Sequence, residues 1–325
     1  MADRTDGGFL GDARRAGRRA LLHTRNRLRP TPPDPAAWHA GLSDRAFVDM
    51  AYQRILQRPV DEGGRASWLQ QLSDGRTRAE VEALLEHSTE AVDGARARAA
   101  LEAFHSGRVT WMRSLPPAKR ILDLGGTALG SDHGALQVMG YPYDFAELTI
   151  IELPVDARHE LYQVPEMKSV DSPHGPVHYR YQSMTELSNL ADGSYDLICS
   201  GQTFEHITAE EGRGLLHDVR RLLAPGGFLA LDTPNRAITE IECRQTGLPF
   251  INPDHKIEYT HSQMLERFAE AGLEVVRSHG IGYMPTTATT GAFVRDELIE
   301  HPTLYADIER CYTLAYLVQA KPATQ

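Results

Sequence analysis

The sequence predicts a doubly wound α/β sheet, seven-stranded and mostly parallel, preceded by a small all-α module. Three observations carry that expectation. Between Pro116 and the C-terminus, seven short β-type runs alternate with segments of helical period. The first of these runs opens directly onto paired glycines, as strands that feed a ligand loop do. Upstream, residues 38–91 carry helical periodicity alone.

The chain begins with a basic, Pro-rich stretch, residues 1–37, expected to be a flexible head. Residues 1–30 hold eight arginines against three aspartates, and residues 30–37, Pro-Thr-Pro-Pro-Asp-Pro-Ala-Ala, follow as a hinge. The head could touch a membrane, an acidic partner or RNA, or be a solvated tail. The whole chain of 325 residues carries a net −10, so its body is acidic and no nucleic-acid partner is expected. No stretch approaches the roughly 18 uninterrupted apolar residues of a membrane span. Phe9-Leu10 and Leu21-Leu22 are isolated among arginines, which leaves no apolar core for a secretory signal. Cys199, Cys243 and Cys311 are odd in number and far apart. They suggest neither a disulfide framework nor a metal site, and they fit a reducing cytoplasm.

In residues 38–91, Ser43 can cap a helix in which Phe47, Ala51, Ile55 and Leu56 share a face, ended by Arg58-Pro59. A second helix carries Ala66, Leu69 and Leu72 and stops at Gly75. Thr77-Arg78-Ala79-Glu80 is a capping box for a third, with Val81, Leu84 and Leu85 on its apolar face. The run from Phe47 to Val81, with its Arg58-Pro59-Val60-Asp61 turn and Trp68, resembles a small helical domain of unassigned function. That domain is related to phycobilisome linkers and is found in bacterial surface and polysaccharide-related proteins. The resemblance implies a docking role, so a protein partner is possible through this module. Asp61 and Glu62 could hold a cation or cap a helix.

Residues 92–115 read as a helical linker, which Pro116-Pro117 breaks. The seven strands of 116–325 are then Arg120–Leu124, Leu148–Glu152, Val177–Tyr181, Tyr195–Ser200, Phe228–Asp232, Leu273–Val276 and Leu314–Val318. Thr208-Ala209-Glu210-Glu211 and Thr260-His261-Ser262-Gln263 cap helices between them.

In such a sheet, ligands lie at the carboxyl ends of the strands, near the switch in strand order. Gly125 and Gly126 let the first loop turn tightly. As a dinucleotide fingerprint the loop is poor, because Thr127 stands where a second glycine belongs. Four pieces in order are more specific. They are Asp123-Leu124-Gly125-Gly126, Glu152 ending the second strand, Asp192–Leu197 leading through the fourth strand to Ser200–His206, and Leu222–Leu229 with its Pro225-Gly226-Gly227 turn. Together they resemble the class I S-adenosylmethionine-dependent methyltransferases, which have a Rossmann-like sheet.

The resemblance implies S-adenosyl-L-methionine as cofactor. Asp123, Gly125 and Gly126 would lie beside its methionine portion, and Glu152 would bind its ribose. Ser183 and Met184 fall where the family places adenine contacts, although an aspartate is commoner there. Ser200, Gly201 and Gln202 would run beneath the cofactor near its methyl group. Asp196 reads as a residue that fixes the start of its strand.

Methyl transfer to a hydroxyl needs a proton acceptor, and histidine suits neutral pH. His206 follows Glu205 just past the fourth strand, and could be that base or could orient the Gln202–His206 loop. His255, in Asn252–Tyr259, is the other candidate, or else a turn residue before the next helix. Asp254 could orient His255, or bind a divalent ion with Asp232. No third ligand is fixed, so no metal is expected. Segments 236–256 and 280–312 would build the acceptor site. Tyr283, Met284, Phe293, Tyr305 and Tyr312 form a lid there or the core of helices over 291–299 and 303–310.

The expected function is cytoplasmic, biosynthetic methyl transfer to a hydroxyl of a small molecule or a sugar or glycan-like acceptor. N- or C-methylation fits the same cofactor. A nicotinamide-dependent reductase and a non-catalytic methyltransferase-like scaffold are the alternatives. Thr127 and the Gln202–His206 segment speak against the reductase, and the full cofactor set speaks against the scaffold.

Overall fold

The computed structural model describes residues 38–39, 41–158 and 166–321. The basic head and its proline hinge lie outside these residues. The described residues form two compact units, one reaching Ala99 and the other running from Ala100.

In the first unit, the Ser43 side chain accepts a hydrogen bond from the Ala46 N–H and starts α1 (Asp44–Ala51). A π-type turn, Tyr52–Leu56, continues it, and Gln57 ends it in the left-handed region at φ 55°. Asp61 caps α2 (Glu62–Ser73), its carboxylate accepting from Gly64 N–H at 2.8 Å. The Thr77/Glu80 capping box starts α3 (Arg78–Glu86). Phe47, Val48, Ala51, Tyr52, Val60, Val81 and Leu85 form the core, ringed by Trp38, Trp68, Leu69 and Leu72. Each aromatic N–H finds a partner: Trp68 Nε1 donates to Tyr52 Oη and Trp38 Nε1 to Glu82. Asp61 therefore acts here as a cap.

Helix α4 (Thr89–Arg113) contributes its second half to the larger unit. Ala100, Phe104, Trp111 and Met112 pack there against the sheet. The stretch expected as a linker is thus, from Ala100 on, part of this core.

The sheet has nine strands among the described residues, not seven: β1 (Arg120–Leu124), β2 (Glu147–Glu152), β3 (Ser169–Ser172), β4 (Gly175–Tyr181), β5 (Tyr195–Gly201), β6 (Leu223–Pro234), β7 (Leu273–Tyr283), β8 (Leu304–Tyr305) and β9 (Cys311–Ala320). Their order is β3-β4-β2-β1-β5-β6-β9-β7-β8. The five strands from β4 to β6 are parallel, whereas β3, β9, β7 and β8 all pair antiparallel. "Mostly parallel" therefore describes the centre of the sheet and not its flanks. The two additional strands are short segments that pairing holds in place. Ser169–Ser172 folds back on β4, and Leu304-Tyr305 pairs with Gly280-Ile281. That last pairing replaces the helix expected over 303–310, of which only the 3₁₀ turn Ile308–Arg310 exists.

Burial on both faces makes the central strands continuously apolar. Ile121, Leu148, Ile150 and Leu197 enter the core that holds the end of α4. Leu122, Leu124, Ile151 and Ile198 enter the opposite core, with Leu215, Leu216 and Val219 of α5 (Ala209–Leu222) and Met264 and Phe268 of α6 (His261–Glu270). Strand order reverses at β1: β2 and β4 lie to one side, β5 and β6 to the other. That is the switch point where a doubly wound sheet opens a crevice. No described helix is long and apolar enough to cross a membrane.

Candidate active site

Beyond β1 the chain turns through Gly125 at φ 73°. A side chain there would be strained by the backbone and would also meet Thr203 Cγ2 at 2.5 Å. Gly126 is required for a different reason. A Cβ on it would lie 2.1 Å from Asp123 Oδ2, because the aspartate folds back over the loop. Asp123 is buried, and burial pushes its carboxyl up to about 7. Arg108 opposes that rise, while Glu152 and Asp232 add to it. Glu152, ending β2, receives the Leu153 N–H on its carboxylate at 2.9 Å. Ser183, just past β4, folds back locally, its Oγ bonded to the Thr185 N–H and hydroxyl. Met184 packs on the second core.

On the other side of the switch, Ser200 Oγ lies 2.8 Å from Thr203 Oγ1, and Thr203 Oγ1 donates to Leu124 C=O at 3.1 Å. These two hydroxyls tie the β5 loop to the β1 loop. Gln202 stands at φ 57°, a left-handed conformation that a non-glycine residue adopts only when held there. Asp232, near the end of β6, supplies the hold: its C=O accepts the Gln202 N–H at 2.8 Å and its carboxylate accepts Gln202 Nε2 at 3.0 Å. Arg108 Nε donates to the same carboxylate at 2.9 Å. Asp232 is fully buried, so its charge is met by Arg108 rather than by water. One guanidinium, Arg108, thus stands among Asp123, Asp232 and Glu152, an excess of acidic groups beside the glycine loop.

A second cluster follows β5. The 3₁₀ turn Phe204–His206 is clamped to the 252–258 loop, because Glu205 C=O accepts the N–H groups of Lys256 and Ile257. His206 and His255 come together edge to face, their ring centroids 4.9 Å apart. His255 is buried, and its Nδ1–H donates to Glu258 at 2.7 Å. Glu258, not Asp254, is therefore the residue that orients it. Glu258 is itself held by Thr239 Oγ1 and the Ile251 N–H. Glu205 is buried with Oε2 accepting Thr233 Oγ1 at 3.0 Å; burial pushes its carboxyl up to about 7, with His255 opposing. Asp232 is committed to Arg108 and Gln202, which removes it as a partner for Asp254 in binding an ion.

The structure thus brings Asp123, Gly125, Gly126, Ser200, Gly201 and Gln202 to the switch point, and places Glu152, Ser183 and Met184 at the ends of the neighbouring strands. Asp196 accepts the N–H groups of Lys119 and Arg120 and fixes the start of β1 against β5. Of the aromatic group at 283–312, Met284 and Tyr312 are core, and Tyr283 stacks on Tyr305 at a half-buried edge. Sequence reasoning missed Arg108 and Glu258. The signal for Arg108 was present: it stands one turn from Phe104 and one from Met112, a charge on an apolar stripe.

Residues 141–231 match the family pattern described as a methyltransferase domain. Residues 36–94 match a domain of unknown function (DUF4214). A Mycolicibacterium smegmatis protein named "Probable S-adenosylmethionine-dependent methyltransferase" is 30% identical over 128 residues, 38% of this chain and 47% of the relative. A ubiquinone biosynthesis O-methyltransferase of Xanthomonas campestris pv. campestris is 31% identical over 136 residues, 42% of this chain and 51% of the relative. The chain spans about half the length of these curated relatives. The structure of an O-methyltransferase family protein from Burkholderia thailandensis aligns at TM-score 0.43 and 16% identity, covering 73% of this chain and 62% of that one. Residues 141–231 of the larger unit therefore match a methyltransferase domain, and S-adenosyl-L-methionine is the cofactor that such a domain implies.

Proposed function

We propose that this chain transfers a methyl group from S-adenosyl-L-methionine to a hydroxyl of a small molecule or a sugar or glycan-like acceptor, in the cytoplasm. One observation carries the reading: the acidic crevice mouth at the switch point, where Asp123 folds over a glycine at which no Cβ fits. A cofactor bearing a sulfonium and an α-ammonium would find there the charge it needs, and Glu152 would accept from its ribose hydroxyls. Ser183 and Met184 would flank the adenine.

When bound, the cofactor supplies an already activated methyl, so the protein mainly orients the reacting groups. Gln202, pinned by Asp232, sets the path of the Ser200–Gln202 segment beneath the methyl. The acceptor's oxygen forms the new C–O bond as the C–S bond pair passes to sulfur, and the hydroxyl proton must leave. His206 and His255 are the groups beside the crevice that would handle that proton, with Glu258 fixing the tautomer of His255. The O-methyltransferase names of the relatives favour an oxygen acceptor over nitrogen or carbon. The helical module, residues 38–91, would serve docking to a protein partner.

Calorimetry with S-adenosyl-L-methionine and with NADH tests the reading. Micromolar binding of the first and none of the second is expected. Binding of NADH alone would favour the reductase, and cofactor binding without turnover on any hydroxyl acceptor would favour a scaffold.

A further inference from the structure

We infer that Glu205, His206 and His255 form a binding site for a divalent first-row transition ion such as Zn²⁺. Each residue offers one ligand atom, and these atoms lie within 4.8 Å of one another. A point central to three atoms so placed is within about 2.8 Å of each, so a contraction of well under 1 Å brings all three to the 2.0–2.2 Å of metal–nitrogen and metal–oxygen bonds. Two imidazoles and one carboxylate suit a borderline ion better than Mg²⁺ or Ca²⁺, which prefer oxygen alone.

The second observation is the state of His255. Its Nδ1 faces Glu258, so in the neutral ring Nε2 is the nitrogen left to bind an ion. That atom is buried and has no hydrogen-bond partner among the described residues. The nearest polar atom in an ion pair with it is Glu205 Oε1 at 3.9 Å, an acceptor and beyond hydrogen-bond reach. An acceptor buried without a donor costs free energy unless something electrophilic fills the gap. Glu205 mirrors the arrangement. Its Oε2 is taken by Thr233, which leaves Oε1, the oxygen facing His255, for a ligand. The Glu258–His255 pair is the carboxylate–imidazole support that commonly stands behind a metal-bound histidine. Neither the spacing of these residues in sequence nor the methyltransferase reading asks for such a site. Glu205 and His206 are adjacent, and only the clamp onto the 252–258 loop brings His255 to them.

His206 is half-buried, so the site keeps an open side. The role of the ion, unlike its binding, rests on the proposed methyl transfer. With the ion bound, His206 and His255 would be its ligands in place of proton acceptors; an acceptor hydroxyl would take the open position, where the cation would lower its pKa and its proton would pass to water. The oxygen so exposed is the one that forms the C–O bond.

The test uses the full chain, stripped with chelator and titrated with Zn²⁺ by calorimetry and with Co²⁺ by visible absorption. One equivalent per chain is expected, with a Co²⁺ spectrum of low coordination number and nitrogen and oxygen ligands. Glu205→Gln and His255→Ala should each weaken binding by at least about 100-fold, and Glu258→Gln by about 10–100-fold through loss of support. His206→Asn, at a half-buried position, keeps the test valid if a buried variant fails to fold. Substoichiometric binding by the wild type, or binding unchanged in His206→Asn, would overturn the inference. Affinity for S-adenosyl-L-methionine is measured on the same metal-free chain. Cofactor binding without cation binding rejects this site alone; cation binding without cofactor binding rejects methyl transfer and leaves the site standing.

Discussion

Arg108 Nε donates to Asp232 Oδ2 at 2.9 Å, joining two residues 124 positions apart in the sequence. The arginine side chain is 15% exposed and the aspartate 0%. Breaking such a pair from one side strands a buried charge, whereas removing both ends does not. Arg108→Met should therefore destabilise the protein by about 3–5 kcal/mol in urea unfolding. The double variant Arg108→Met/Asp232→Asn should recover much of that loss. Equal stability of the single and double variants would show that the carboxylate finds water or another partner.

Glu152→Ala should weaken S-adenosyl-L-methionine binding by about 1–3 kcal/mol, the scale of a charged hydrogen bond. The carboxylate meets only the Leu153 N–H within the protein among the hydrogen bonds described for it, so the fold should survive its removal. Calorimetry on a variant with an unchanged melting temperature is the measurement. Unchanged affinity would place the ribose elsewhere.

Asp123 gives the apoprotein a pH dependence. Its carboxyl is raised in the fold to about 7, through burial first, with Glu152 and Asp232 adding and Arg108 opposing. Unfolded, it ionises near its ordinary value of 3.8. Between those values the folded state binds the extra proton, so stability falls as pH rises through the window and levels off above it. From pH 5.5 to 7 the loss should be on the order of 2 kcal/mol. Asp123→Asn should abolish that component in melts at constant ionic strength. Cofactor binding should move the other way and tighten as the carboxylate ionises to meet a cation.

His255→Ala should lower kcat by about 10²–10⁴-fold, the range for loss of proton-transfer assistance. The cofactor loop lies on a different set of contacts, so S-adenosyl-L-methionine affinity should hold. A rate near that of the wild type would remove His255 from the mechanism.

What the sequence disclosed and what it hid divide along physical lines. The runs 120–124, 148–152 and 195–200 are largely apolar, 177–181 alternates apolar or aromatic with charged or polar residues, and each is a strand in the structure. Ser169–Ser172 and Leu304-Tyr305 carry no such pattern; they are strands because β4 and β7 offer them free edges. Around Leu304, pairing to Gly280-Ile281 overrode the helical reading. Gly125 and Gly126 announced a ligand loop, but not that Asp123 would fold onto it. The assignment of Asp254 as the orienter of His255 rested on adjacency, yet a turn through Asn252–His255 aims the ring at Glu258 three residues on. Arg108 was hidden by distance, since nothing in a local window links α4 to the end of β6.

The contact of Arg108 with Asp232 also decides where this protein can be cut. A fragment beginning at Pro116, the break that the sequence suggests, would lack the counter-ion of a wholly buried aspartate. It would also lack Ala100, Phe104, Trp111 and Met112, and so expose one face of the sheet. A fragment beginning near Ala100 keeps both. For whoever expresses the catalytic half alone, those few helical turns separate a folded protein from an aggregate.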